Sequence, residues 1–137
     1  MAVTRSEMDD ALASIPADER RALETAIANV TTYHRTQLPE DRTVETVPGV
    51  EVARRWSPLR RVGAYVPGGK AAYPSTLIMT VVPARLAGVE EVVVVSPAGP
   101  DSEVSPTLLA AAALLEVDEM YIVGGAQAVA ALAFGTE

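Results

Sequence analysis

The chain has no cysteine among its 137 residues, one histidine, one phenylalanine and one tryptophan beside four tyrosines. Without thiols there is neither a disulfide nor a thiolate metal site, and one imidazole does not compose a typical zinc site. Few aromatics mean that a core must be built from Ala, Val and Leu. Basic charge is also short: eleven Lys and Arg against eighteen Asp and Glu give a formal charge of -7, which argues against long-range attraction to nucleic acid or anionic lipid. Small anions are not excluded, because backbone amides hold them whatever the net charge. No apolar run reaches bilayer length, since Pro83, Arg85, Gly124 and Gly125 interrupt the most hydrophobic stretches. The start, MAVTRSEMDD, lacks the basic and apolar regions of a signal peptide. Cytoplasmic residence, with neither membrane nor nucleic-acid partner, is the expectation.

What is present has an uneven distribution. Residues 1–60 hold 18 of the 29 charged side chains and residues 61–137 hold 11, which places a boundary near Arg60 and Arg61. In the first part Thr4 and Glu7 have capping-box spacing, followed by Met8, Ala11, Leu12 and Ile15 on one helical face. After Pro16, a second amphipathic helix from Ala17 to about His34 repeats Leu23, Ile27, Val30 and Tyr33. The stretch TVETVPGVEVARRWSPL carries β-branched residues around Pro48-Gly49 and predicts a small hairpin or extended excursion. The first part reads as a helical segment plus a hairpin, part of a first domain.

The second part has a βα rhythm. RVGAYV (61–66), EVVVVS (91–96) and EMYIV (119–123) are strand candidates with midpoints about 29 residues apart, near the ~30 of a strand, crossover helix and parallel strand. Between and after them, helices are predicted over Ser75–Ala87, from a Ser105-Pro106 start, and over Ala126–Phe134 up to Gly135. Pro83 should kink the first of these or displace its start. The strands lack alternation, as strands covered on both faces do. Three βα units make half of an open parallel α/β sheet, and its bare edges predict a longer polypeptide or a covering partner.

In such a sheet ligands bind beyond the carboxyl ends of the strands. Tyr65-Val66-Pro67-Gly68-Gly69-Lys70 follows the first strand, and Gly124-Gly125-Ala126-Gln127 follows the third and opens a helix. Two readings stand. The glycine pairs are tight βα turns with Tyr65 in the core and Lys70 in solvent, or they let backbone amides approach a phosphate or ribose, with Tyr65, Lys70 and Gln127 adding contacts. Neither cluster is G-x-G-x-x-G, and Ser96-Pro97-Ala98-Gly99 stands where an acidic residue would close the second strand. His34 reads as helix packing. Glu90, Glu91, Asp118 and Glu119 fall at the amino ends of strands, opposite the crevice, and take surface roles. No catalytic residue and no metal ligand is identified within the chain.

The blocks RRWSPLRRVGAYVPGGKAAYPSTLIMTVVPARLAGVEEVVVVSPAG and VGGAQAVAALAFGTE resemble the histidinol dehydrogenase family, and the helix with NVTTYHRTQ resembles its upstream region. The resemblance implies an incomplete Rossmann-like, NAD-carrying domain of which residues 61–137 are the first half. It implies an oxidoreductase of histidine biosynthesis that takes L-histidinol through the aldehyde to L-histidine. It implies that Tyr65 in GAYVPGG and Gln127 in GGAQA contact NAD, beside the glycines Gly68, Gly69, Gly124 and Gly125. The glutamate-histidine catalytic pair, the zinc ligands and a segment helping to build the homodimer lie outside this sequence in the family's pattern. The chain is therefore expected to be an inactive fragment by itself; a non-catalytic nucleotide-binding module, or a piece of a related dehydrogenase acting on another small polar alcohol, is the alternative. Glu116 replaces a glycine that often ends the helix before the third strand, at a cost of about 1 kcal/mol if the backbone there is left-handed.

Overall fold

The computed structural model describes residues 1–68, 71–99 and 103–136. Its elements run β1 (Ala2–Val3), α1 (Arg5–Ser14), α2 (Ala17–Arg35), β2 (Arg42–Val47), β3 (Val50–Arg54), β4 (Arg61–Tyr65), α3 (Pro74–Leu86), β5 (Glu91–Ser96), α4 (Pro106–Leu114), β6 (Glu119–Ile122) and α5 (Ala126–Phe134). The chain is mixed α/β with a mostly parallel sheet, in the order β1-β6-β5-β4. Tyr65 pairs with Val95 and Ser96 with Ile122 in the parallel registers.

Strand periodicity assigns the two faces. Val92 and Val94 join Ala64, Val66 and Met120 in one apolar cluster under α3 and α4, where Leu77, Ile78, Val81, Leu108 and Ala110–Ala113 meet them. Val93 and Val95 point to the other face, toward Ala131 and Leu132 of α5. Only β5 is covered on both sides; β4 and β6 are half-exposed, which corrects the expectation drawn from their unbroken apolar runs. A groove of about 590 Å³ remains beside α5, between Gly63, Val95, Tyr121 and Leu132.

Two features of the first part close this half-sheet from behind. Thr4 and Glu7 form the expected capping box, and the Thr4 amide and hydroxyl hold the Glu7 carboxyl below its ordinary value. Met8 of α1 and Leu23 of α2 enter the sheet's own apolar cluster, so the helices of the charged segment supply burial that three βα units lack. Ala2–Val3, for which no strand was expected, forms β1 as a fourth strand of the sheet: it runs antiparallel on β6, and the Ile122 amide donates to the Met1 carbonyl at 2.8 Å. One sheet edge is thereby covered, and β4 is the other edge. The hairpin β2–β3 forms around Pro48-Gly49 as expected, and all of its residues are exposed.

Pro83 lies inside α3 without moving its start; it occupies the last turn, and the helix runs on to Leu86. Ser105 and Pro106 take the expected N-cap and first positions of α4, although the Ser105 hydroxyl makes no capping bond. The helix ends of α3 and α4 are built alike. At α3 the Gly88 amide donates to the Arg85 carbonyl and the Val89 amide to the Ala84 carbonyl; at α4 the Glu116 amide donates to Ala113 and the Val117 amide to Ala112. Both are Schellman motifs, which require a left-handed residue: Gly88 at φ 88° and Glu116 at φ 50°. Among the described residues no helix is long and apolar enough to cross a membrane.

Candidate functional site

Because α3 and α4 lie on one face and α5 lies on the other against β4, the helices switch faces at the β4 edge. Open α/β sheets bind ligands beyond the carboxyl ends of the strands at such a switch. Here the loops after β4, β5 and β6 converge. The Gly125 amide donates to the Tyr65 hydroxyl at 3.2 Å, linking the turns of the first and third βα units across 60 residues of sequence. Tyr65 is half-buried, so its ring packs while its hydroxyl works at the rim.

The floor of this crevice is Ser96-Pro97. A Cβ at Gly68 would stand 2.6 Å from the Pro97 carbonyl oxygen and 3.1 Å from Ser96 Oγ; a Cβ at Gly124 would stand 2.6 Å from Pro97 Cβ. Each distance is below normal contact, so glycine is needed for two loops to close over one proline. Gly125 has φ 76° and precedes α5 as its N-cap, turning the backbone into the helix. Gln127 is exposed, and its amide folds back over Gly125, where a Cβ would meet Oε1 at 2.6 Å. Tyr65, Gly68, Gly124, Gly125 and Gln127 are thus gathered around one opening. Gly69 and Lys70 lie outside the described residues.

Sequence reasoning did not single out Ser96, registering there only the lack of an acid. A signal existed: alternation along EVVVVS puts Ser96 on the face of Val92 and Val94, a polar residue at a core position. In the structure it is fully buried and its hydroxyl has no hydrogen-bond partner.

The carboxylates stand at the opposite end of the sheet. Glu91 pairs with Arg60 at 3.2 Å and Arg61 at 2.7 Å, and Arg61 also reaches Glu119 at 3.0 Å. Tyr121 donates to Glu119 at 2.7 Å, and this bond to a charged neighbour pushes the phenol pKa up. Asp118 accepts from the Val92 amide at 2.8 Å and from Arg85 at 2.7 Å. Burial raises the Asp118 pKa, but these two donors outweigh it and hold the carboxyl below the ordinary value. His34, half-buried near the end of α2, meets the Tyr33 ring edge-on at 5.4 Å between centroids. Among the described residues no three His, Asp or Glu gather as a metal set.

The crevice therefore presents close-packed glycine backbone, a phenol and an amide side chain at one end of the sheet. Comparison with known proteins agrees on what kind of chain makes it. The family model of histidinol dehydrogenase matches residues 1–137. A histidinol dehydrogenase of Parasynechococcus marenigrum is 50% identical over 137 residues, all of this chain and 31% of that protein. One from Rhizobium meliloti is 48% identical over the same span, again 31% of its length. The crystal structure of histidinol dehydrogenase from Elizabethkingia anophelis superposes with a TM-score of 0.93 at 32% identity, covering the whole chain and 32% of that protein. The chain spans about a third of the length of these relatives. With the motif loops joined at a sheet switch and the match running from first residue to last, the chain belongs to the histidinol dehydrogenase family.

Proposed function

We propose that this chain forms part of the NAD-holding unit of a histidinol dehydrogenase that oxidises L-histidinol to L-histidine through the aldehyde. The hydrogen bond between Tyr65 and Gly125 is the observation that supports this reading most, because it brings the two motif loops to one opening. When bound, NAD accepts hydride from the alcohol carbon. Tyr65 offers a ring face and a hydroxyl, Gln127 an exposed amide that donates and accepts, and Gly68, Gly124 and Gly125 let backbone approach the dinucleotide closely. Gly69 belongs to the same proposed set. Zinc is implied by the family resemblance, and its proposed ligands and the catalytic base lie outside this chain.

The reading extends to residues 1–60 as part of a first domain, 61–137 as the first half of the cofactor domain, a homodimer and a cytoplasmic location. Placement of the carboxylates at the amino end, away from the crevice, favours one alternative: a nucleotide-binding module without catalysis of its own.

A chimera separates the two. The matching third of the Rhizobium meliloti enzyme is replaced by this sequence and assayed for NAD reduction with L-histidinol. Turnover is expected, with Tyr65→Phe and Gln127→Ala each raising KM for NAD about tenfold. A folded chimera that binds NAD but shows no turnover of L-histidinol overturns the enzyme reading. One that binds NAD without turnover, beside low-micromolar NAD binding by the 137-residue chain alone, selects the module.

A further inference from the structure

At the floor of the crevice, Ser96 presents a hydroxyl that is fully buried and unpartnered, although protein interiors seldom leave such a group unpaired. Its surroundings restrict what it can bond. Periodicity turns it to the α3 side of the sheet, away from the Tyr65 face, and the main chain of Gly68 passes over it so closely that a Cβ there would lie 3.1 Å from Oγ. No ligand atom fits between them. The Pro97 carbonyl oxygen also stands 2.6 Å from that Cβ position, so the Gly68 main chain is packed against both Ser96 and Pro97.

A hydroxyl is both donor and acceptor and rotates to suit, so a small adjustment of the turn gives it a partner. We propose that Ser96 is a positioning residue for the dinucleotide site: its hydroxyl bonds the Pro67-Gly68 main chain when NAD occupies the crevice, and stays unpaired in the free protein. This rests on the NAD reading above. Thermodynamically, a bond made only in the loaded state adds to affinity, while the unpaired hydroxyl lowers the stability of the free state. Stability and binding therefore respond to its removal with opposite signs, which a packing residue does not produce.

The test measures thermal melts and NAD calorimetry on the Rhizobium meliloti chimera described above, with Ser96→Ala and, as a marker of the crevice, Tyr65→Phe. Ser96→Ala is expected to raise the melting temperature of the NAD-free chimera by about 3 °C and to weaken NAD binding about tenfold. Unchanged NAD affinity in Ser96→Ala, with affinity lowered in Tyr65→Phe, overturns the role of Ser96 and leaves the cofactor site standing. Weaker binding together with a lower melting temperature assigns Ser96 to packing and also overturns it. Absence of NAD binding by the unsubstituted chimera overturns the cofactor site in this chain and Ser96's role with it.

Discussion

The two ends of the parallel sheet are built on opposite principles. At the amino ends of β4, β5 and β6, Arg61 spans Glu91 and Glu119, and Asp118 takes the Val92 amide one residue before β6 begins. Charges there are matched and half in solvent, and they tie neighbouring strands together. At the carboxyl ends the side chains are reduced to glycine at Gly68 and Gly124, a hydroxyl is left unpaired at Ser96, and the backbone comes within a few ångströms of Pro97. One end is finished by its own contacts. The other packs loop backbone against Pro97 and leaves a buried hydroxyl unpaired, at the end where NAD binding is proposed.

The largest effect is expected where the carboxyl end is tightest. Gly124→Val puts a branched side chain where even a Cβ would be 2.6 Å from Pro97, so the β6–α5 turn must lift off. A loss of about 2–3 kcal/mol in urea unfolding, with abolition of NAD binding, is expected. Retained stability and binding would show that the loops do not depend on this contact.

Next comes Asp118 at the amino end. Asp118→Ala leaves the Val92 amide, in a fully buried residue, without its acceptor, at an expected cost of about 1–2 kcal/mol and no change in NAD affinity. The sign with pH follows from the lowered pKa. A carboxyl depressed in the folded state stabilises above its unfolded value, near pH 4, and this contribution is lost as pH falls through the folded value. Acid titration of stability should thus show a shallower decline below about pH 4 in the variant. Parallel curves for the two proteins would remove Asp118 from the acid limb.

The smallest effect sharpens the contrast by improving a position that binding does not use. Glu116 holds a left-handed backbone at φ 50° that Gly88 holds at the equivalent end of α3. Glu116→Gly should gain about 1 kcal/mol by denaturant midpoint, with NAD binding unchanged, while Gly88→Ala should lose a similar amount. No gain on Glu116→Gly would mean that other contacts of the glutamate compensate for the strain.

Much of this was legible before any coordinates. The capping box at Thr4 and Glu7, the hairpin turn at Pro48-Gly49 and the three parallel strands are local properties, written in spacing and residue type, whereas the left-handed backbone at Glu116 was signalled only by the family resemblance. The glycine clusters were legible as an alternative between turns and ligand contact. Their convergence was not, because a hydrogen bond from Gly125 to Tyr65 depends on how two turns 60 residues apart face each other.

What the sequence determined alone was therefore periodicity, caps, turn chemistry and the family pattern of motifs, since each is encoded within a few residues or a single βα unit. Tertiary structure decided the rest. Ala2–Val3 became a strand because β6 had an open edge to offer, not because two residues carry a strand signal. Apolar runs at β4 and β6 stayed half-exposed because burial of a strand depends on which elements reach its second face. Ser96 became the unpaired floor of the crevice because register and loop path set what lies over its hydroxyl, and neither is a property of the residue itself.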